Sequence, residues 1–251
     1  MGSKRHRLTK FLVFAIAASA LSSARAEDLP FVFQGVPQVA PAGSAFGGYE
    51  LIYGRRATPP LGPDGVEHRW FAGVHILPGL SFKGHVSLMT REHLSGQAVR
   101  AGIDTRITLL DRDRSGLDLG FTAGYAREVG TAHVAVASIQ AAGMIGPIEV
   151  ASTALVEKAF ARGRDAADVI VTWGASLPLT RMFSLGIEYV GQDIEDLWEK
   201  EEAEGGARHL LGPAATFRFL NDKVQAGAGA GVGLTRNSPD LVAQASLVIN
   251  W

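Results

Sequence analysis

The chain has no cysteine, no long internal apolar run and almost no net charge. The absence of cysteine excludes a disulfide framework, thiolate metal sites and a cysteine-linked lipid anchor. Outside the N-terminus no stretch approaches the roughly 20 apolar residues of a membrane-spanning helix, which excludes a helical membrane protein. A net charge of -1 leaves no basic footprint for nucleic acid.

The first 26 residues have the pattern of a secretory signal peptide. A basic stretch over residues 4–10 precedes an apolar run from Phe11 to Leu21, and Ala24-Arg25-Ala26 supplies a small-x-small cleavage pattern. The apolar run is too short to cross a bilayer core as a helix. We therefore expect a signal peptide over 1–26, then an N-terminal segment over 27–44 that is periplasmic or contacts the lumen of the domain that follows, 45–251.

Apolar residues alternate with polar ones along most of the remaining chain. The segment Leu80 to Met89 is the clearest example, and the last eleven residues, Leu241 to Trp251, repeat it with an aromatic at the end. A period of two with one apolar face is typical of a strand between lipid and water. The pattern predicts strands near 45–55, 67–77, 80–90, 97–110, 117–127, 133–145, 148–160, 168–177, 182–192, 208–219, 224–235 and 241–251.

The linkers between these segments alternate in length. Tight turns such as Leu77-Pro78-Gly79 and Gly146-Pro147 alternate with longer links such as 57–66 and 193–207. Short periplasmic turns and longer extracellular loops are typical of outer-membrane barrels. The sequence therefore predicts an all-β fold, a transmembrane antiparallel up-and-down β-barrel of about twelve strands. Ten strands is an alternative because strands six and seven alternate poorly, and a soluble periplasmic barrel or sandwich is the competing fold.

The C-terminal quarter adds a family resemblance. Its motifs run in the order Leu185–Gly191, an acidic loop, Ala207–Pro213, Phe217–Phe219, Asn221-Asp222, Gly227–Thr235, Ser238–Asp240 and the terminal strand. This order resembles the last four strands of the phenol-degradation (meta-pathway) outer-membrane transporter family, and the terminal strand resembles the C-terminal signal strand of bacterial outer-membrane barrels. The resemblance implies a barrel that admits small, often hydrophobic compounds, and it transfers no functional residue.

The polar faces of the predicted strands define a candidate pore lining. Strands two to four supply mainly basic side chains, with Asp104 as the one acid, and strands seven to nine supply acids. Because strand three of twelve faces strand nine, we expect a basic wall opposite an acidic wall, a field that would select polar or zwitterionic solutes. In the alternative, the charges pair across a narrow lumen and seal it. The predicted pore-lining residues are Arg69, His75, Lys83, His85, Arg100, Asp104, Arg106, Glu149, Glu157 and Glu188.

Aromatic residues fall on the apolar faces, mostly towards strand ends, where an interfacial girdle belongs. Trp251 has a second predicted role, as the aromatic terminus that the barrel-assembly machinery reads. The predicted membrane-interface and assembly-signal residues are Trp70, Tyr125, Trp173, Tyr189, Phe219 and Trp251.

Three other features admit two interpretations each. Asp111–Gly116 matches the first half of a calcium loop, but its twelfth position is Thr122 rather than Glu, which favours a polar turn. The acidic loop 193–204 is either solvated or a divalent-cation site. Inward glycines such as Gly102, Gly124 and Gly227 leave open space, receive another segment or ease strand curvature.

We predict an integral protein of the cell outer membrane, not an enzyme, through which small solutes pass passively. The alternative is a closed structural or surface-interaction barrel whose extracellular loops bind lipopolysaccharide or a partner. The expected partners are outer-membrane lipids and lipopolysaccharide, the barrel-assembly machinery and small solutes, with no cofactor, metal or nucleic acid.

Overall fold

A computed structural model describes residues 36, 39–57, 63–91, 97–129, 132–160, 167–192 and 207–251 of the chain. The predicted signal peptide and the acidic loop 193–204 lie outside these residues. No helix in the described parts of the chain is long and apolar enough to cross a membrane. The elements are β1 (Ala45–Arg55), β2 (Gly65–Leu77), β3 (Leu80–Arg91), β4 (Gln97–Leu110), α1 (Arg112–Ser115), β5 (Leu117–Glu128), β6 (Ala132–Ile145), β7 (Ile148–Phe160), β8 (Asp168–Pro178), β9 (Phe183–Gln192), β10 (Arg208–Phe219), β11 (Val224–Gly233) and β12 (Leu241–Asn250).

The twelve strands form one closed antiparallel barrel in which each strand pairs with its neighbours in sequence. β1 and β12 close the barrel, with Phe46 opposite Asn250 and Arg55 opposite Leu241. Ala45 and Trp251 complete the seam, because each donates its backbone N–H to the other's carbonyl, at 2.9 and 3.0 Å. Closure leaves no sheet edge with unpaired backbone groups. The predicted up-and-down barrel of twelve strands is confirmed.

The ends of the strands agree with the predicted ones to within two residues. The predicted β11 runs to Thr235, whereas the strand ends at Gly233. Ser238 explains the difference, since its hydroxyl lies 2.7 Å from the Thr235 hydroxyl and accepts from the backbone N–H of His209 at 2.8 Å. These side-chain bonds compete with the strand ladder and turn the chain towards β12.

The two ends of the barrel differ. The short-turn end carries both the entry to β1 and Trp251, together with the turns that join β2 to β3, β4 to β5, β6 to β7, β8 to β9 and β10 to β11. The long-loop end carries the other connections. Twelve strands about 4.8 Å apart and tilted by about 40° enclose a barrel roughly 24 Å across. That width leaves a lumen that inward side chains need not fill.

Alternate residues of each strand face the lumen, as the period of two predicts. The lumen side holds the buried polar residues and the outer side the exposed apolar ones, for example Ser87 within β3 against Phe82 and Val86. Two phenylalanines, Phe46 and Phe71, are exceptions that point inwards, with ring centroids 6.4 Å apart. They fit because Gly73 and Gly48 lie beside the two rings, where a side chain would clash.

Candidate functional site in the barrel lumen

All ten predicted pore-lining side chains point into the barrel, because their neighbours along each strand carry the exposed outer face. Their arrangement differs from the predicted one. Asp104 is not the only acid beside the basic strands, since Glu67 of β2 also faces inwards and Glu50 lies next to it on β1. The prediction of Asp104 as the one acid among the basic strands is therefore wrong, and the opposition of a basic wall to an acidic wall stays a prediction. A count of charges along the strands does not reveal which carboxylate a long arginine side chain reaches.

Arg69 is the centre of the first ion cluster. Its guanidinium lies 2.9 Å from the Glu50 carboxylate and 2.9 Å from the Glu67 carboxylate. The Nε–H of Arg69 also donates to Glu67 at 3.1 Å and lies 3.4 Å from the Ser87 hydroxyl. β1, β2 and β3 position these groups, since Glu50 is opposite Arg69 and Arg69 is opposite Ser87. The cluster carries one excess negative charge.

A second cluster joins β3 to β4. The Asp104 carboxylate lies 3.4 Å from Lys83 Nζ and 3.4 Å from His85 Nδ1. Two glycines make room for it, because a Cβ at Gly102 would meet the His85 ring at 2.5 Å and one at Gly124 would meet the Asp104 carboxylate at 2.2 Å. Of the three interpretations of the inward glycines, Gly102 and Gly124 therefore favour the second, because each lets a neighbouring side chain approach the backbone closely.

Arg100 of β4 pairs with Glu157 of β7 at 3.2 Å. The two strands are three positions apart around the barrel, so the pair crosses part of the lumen rather than running along one wall. Both side chains are largely buried, Arg100 at 14% and Glu157 at 5% exposure. This pair joins the predicted basic strands to the predicted acidic ones.

Arg112 forms a third cluster at the short-turn end. Asp111 caps the helical turn α1 by accepting from the Asp113 N–H, and Gly116 ends it with φ +77°. This geometry turns Arg112 back towards the lumen, 2.8 Å from Asp118 and 2.6 Å from Glu149. Burial opposes the Arg112 charge, but Glu149 and then Asp118 outweigh it and hold the pKa of Arg112 above its ordinary value. The sequence indicated only a polar turn here and did not identify Arg112 as a lumen residue.

The lumen also has an apolar arc, which the sequence analysis missed. Ile52, Ile170, Val190, Leu210 and Val242 are buried together with Ala57 towards the long-loop end. They come from β1, β8, β9, β10 and β12. The residues of β8 to β10 face the first two ion clusters across the lumen, whereas Ile52 lies on the same strand as Glu50. The signal was present, because β8, β9 and β12 each place an isoleucine or valine on the polar face. Within a single strand, one such apolar residue looks like an irregularity in the alternation of polar and apolar residues, so the arc was not recognised.

Part of the N-terminal segment lies within the barrel. Val36 is 4% exposed and packs against the inward-facing Ala142 and Ala151 of β6 and β7. Its carbonyl lies 3.5 Å from Arg106 Nη1. The predicted periplasmic or lumen-contacting segment, 27–44, thus contacts the lumen at this residue.

The predicted interface aromatics lie on the outer face. Trp70, Tyr125, Trp173, Phe219 and Trp251 are exposed, and Tyr189 stacks on Trp173 with ring centroids 6.0 Å apart. Their roles at the membrane interface and in assembly stay predictions.

A second outer feature, a set of Tyr–His pairs, was not predicted. In each pair a tyrosine hydroxyl bonds to histidine Nδ1 on the next strand, and the pairs recur every four strands around the barrel. The pairs are Tyr49 with His68, Tyr125 with His133 and Tyr189 with His209.

The described residues contain no group of three or more histidines and carboxylates arranged to hold a metal ion. No protein-family model matches the chain, and no curated protein sequence matches it. The resemblance to the phenol-degradation family is therefore not confirmed.

Solved structures match the fold. The COG4313 outer membrane channel from Pseudomonas putida F1 is 11% identical, with a TM-score of 0.58, and the match covers 88% of this chain and 100% of that one. The KdgM porin in complex with disordered oligogalacturonate is 6% identical, with a TM-score of 0.55 and coverage of 83% and 98%. The NanC porin is 9% identical, with a TM-score of 0.53 and coverage of 83% and 99%. This chain therefore has the fold of outer-membrane porins and channels.

Proposed function

We propose that this protein is an integral outer-membrane barrel through which small solutes pass passively. The exposure of charged groups inside the lumen carries the proposal. Arg69 and Lys83 point inwards and are paired, yet each side chain keeps about a third of its surface accessible, at 33% and 32%. Charges that sealed a dry core would be covered. Solvent-sized space therefore reaches both ion clusters.

The lumen surface favours solutes with a polar side and an apolar side. The ion clusters of β1 to β4 offer charged and hydrogen-bonding groups, while the part of the apolar arc on β8 to β10 lies across from them. Such a passage orients an amphipathic solute as it moves through. Membership of the phenol-degradation family is the finer proposal, and the order of motifs in the last four strands supports it.

Two of the similar solved structures suit this picture. One is the KdgM porin in complex with disordered oligogalacturonate, and the other is the outer membrane channel from Pseudomonas putida. For this chain we propose small solutes as the cargo. Because the lumen charges form paired clusters and not one uniform field, the passage favours neither anionic nor cationic solutes strongly.

A closed barrel is the second candidate, and Val36 supports it. Its side chain packs inside the barrel and its carbonyl meets Arg106, so the segment 27–44 would narrow the passage at the short-turn end. In this form the protein would act through its surface, by binding lipopolysaccharide or a partner.

Single-channel recordings in planar bilayers distinguish the two candidates. Purified, heat-modifiable wild-type protein should give discrete conductance steps. A variant lacking residues 27–40 tests the closed form, since it should conduct while the wild type stays silent if this segment blocks the passage. Silence of both folded proteins would overturn the channel proposal. Equal conductance of both would show that the segment does not close the lumen.

The remaining proposals concern export and assembly. We propose that residues 1–26 direct export and are removed, and that the assembly machinery reads the terminal strand. Neither step needs catalysis by the barrel, and we propose no enzymatic activity for it.

A further inference from the structure

Charges are distributed unequally between the two faces of the strands. In the described strands every acidic side chain points into the lumen, whereas some basic side chains point outwards. The inward acids are Glu50, Glu67, Asp104, Asp118, Glu128, Glu149, Glu157, Asp168 and Glu188. The outward bases are Arg55, Arg127 and Lys158, and all three lie near the long-loop end.

Two of these outward cations have no acidic partner among the residues that the structure describes. Arg55 is paired with Asp240 at 3.6 Å. Arg127 and Lys158 form no ion pair with any residue that the structure describes, although Lys158 lies over the Phe160 ring at 5.8 Å. A cation on the outer face of a barrel is costly next to hydrocarbon and much less so at the level of the lipid headgroups.

Strand pairing brings Arg127 and Lys158 to the two sides of one histidine. Arg127 of β5 is directly opposite His133 of β6, and Lys158 of β7 is opposite Ala135, two residues further along β6. Side chains so placed are about 5 Å apart when opposite and about 7 Å apart on the diagonal. His133 is exposed, and its Nδ1 is bonded to the Tyr125 hydroxyl. In the tautomer whose Nδ1 accepts from the Tyr125 hydroxyl, the ring hydrogen is on Nε2, where it can be donated to a ligand.

We propose that the outer basic patch, formed by Arg127, His133 and Lys158, binds the phosphate groups of lipopolysaccharide in the outer leaflet. Two cations and one N–H donor, with no outward acid in the described strands, match the charge and acceptor oxygens of a lipid phosphate. The position of the patch along the barrel axis also fits, because the patch adjoins Tyr125, which belongs to one of the three Tyr–His pairs on the outer face. The site rests on the outer-membrane location proposed above and does not depend on conductance.

The test compares lipid A binding by the wild type and a double variant. Arg127→Ser with Lys158→Ser removes both cations. Arg114→Ser with Arg181→Ser is the matched control, because it removes two exposed cations from turns at the short-turn end. The probes are bisphosphorylated lipid A and the same lipid A after phosphatase treatment. The Kd is taken from the lipid-dependent rise in Tm of the refolded protein in detergent.

We expect the Kd for bisphosphorylated lipid A to rise about tenfold or more in the patch variant and to stay unchanged in the control. Phosphatase-treated lipid A should bind the wild type about as weakly as bisphosphorylated lipid A binds the patch variant. Equal Kd values for the patch variant and the wild type would overturn the proposal, as would equal binding of both lipids. If the patch variant does not fold, the charge-conserving variant Arg127→Lys with Lys158→Arg should retain lipid A binding. Loss of binding in that variant would also overturn the proposal. Conductance of the same samples reports separately on the channel.

Discussion

The outer face and the lumen face of this barrel are made by alternate residues of the same strands, yet they follow opposite rules. The outer face carries exposed apolar and aromatic residues and no acid in the described strands. Every acidic residue of the described strands lies on the lumen face, and most of these acids are paired with bases. A side chain's surroundings therefore change completely from one residue to the next. This contrast predicts that the same substitution has very different effects at adjacent positions.

The largest expected effect is at the barrel seam, where Trp251 is exposed on the outer face and Asn250 is buried on the lumen face. Trp251→Asp should reduce the amount of heat-modifiable, membrane-embedded protein by roughly tenfold, because an aromatic anchor at the interface is replaced by a charge. Asn250→Asp is the neighbouring control and should assemble close to normally. Normal amounts of embedded Trp251→Asp protein would contradict the assembly role. Secretion should be unaffected in both variants.

A second comparison uses β6, where Ile139 faces outwards and Gln140 faces the lumen. Ile139→Lys should lower the free energy of unfolding by about 2–4 kcal/mol if the residue lies near the bilayer centre. Gln140→Lys should cost much less, since a wet lumen solvates the ammonium. Denaturant unfolding of both variants in lipid vesicles, followed by tryptophan fluorescence, measures the difference. Equal costs would mean that the two faces contact the same solvent.

The lumen itself is tested by breaking one ion pair. Glu157→Gln removes the carboxylate that lies 3.2 Å from Arg100. In a hydrated lumen the loss of unfolding free energy should be about 1 kcal/mol or less. A dry, sealed lumen would leave an uncompensated charge at a cost of about 3–5 kcal/mol. The same unfolding assay distinguishes these outcomes, and the larger cost would favour the closed barrel.

The smallest effect concerns ion selectivity. Arg100→Glu with Arg106→Glu should shift the permeability ratio towards cations by roughly threefold, because two lumen charges change sign. Glu149→Lys with Glu188→Lys should shift it towards anions. Reversal potentials across a salt gradient measure both variants. Because the structure pairs Arg100 with Glu157 and Glu149 with Arg112, these shifts are smaller than those expected of an unpaired wall. Unchanged permeability ratios in both conducting variants would show that the lumen charges do not act as a selectivity filter.

The sequence by itself determined the architecture of this protein. Alternation in segments such as Leu80–Met89, together with turns such as Gly146-Pro147, predicts the strands and their ends to within two residues. This works because a strand has a period of two and each residue must suit either lipid or lumen, so the choice is local. The outward placement of Trp70, Tyr125 and Trp251 followed from the same local rule.

Only the tertiary structure decided which lumen groups meet. Arg100 and Glu157 are 57 residues apart in the chain, and Arg112 reaches Glu149 because α1 turns it inwards. The apolar arc appears only when β1 and β12 close the barrel and bring Ile52 beside Val242. Such contacts depend on barrel closure, on the register of distant strands and on side-chain reach. None of these is encoded in a single strand's pattern, and together they determine whether the lumen charges line an open passage or close it.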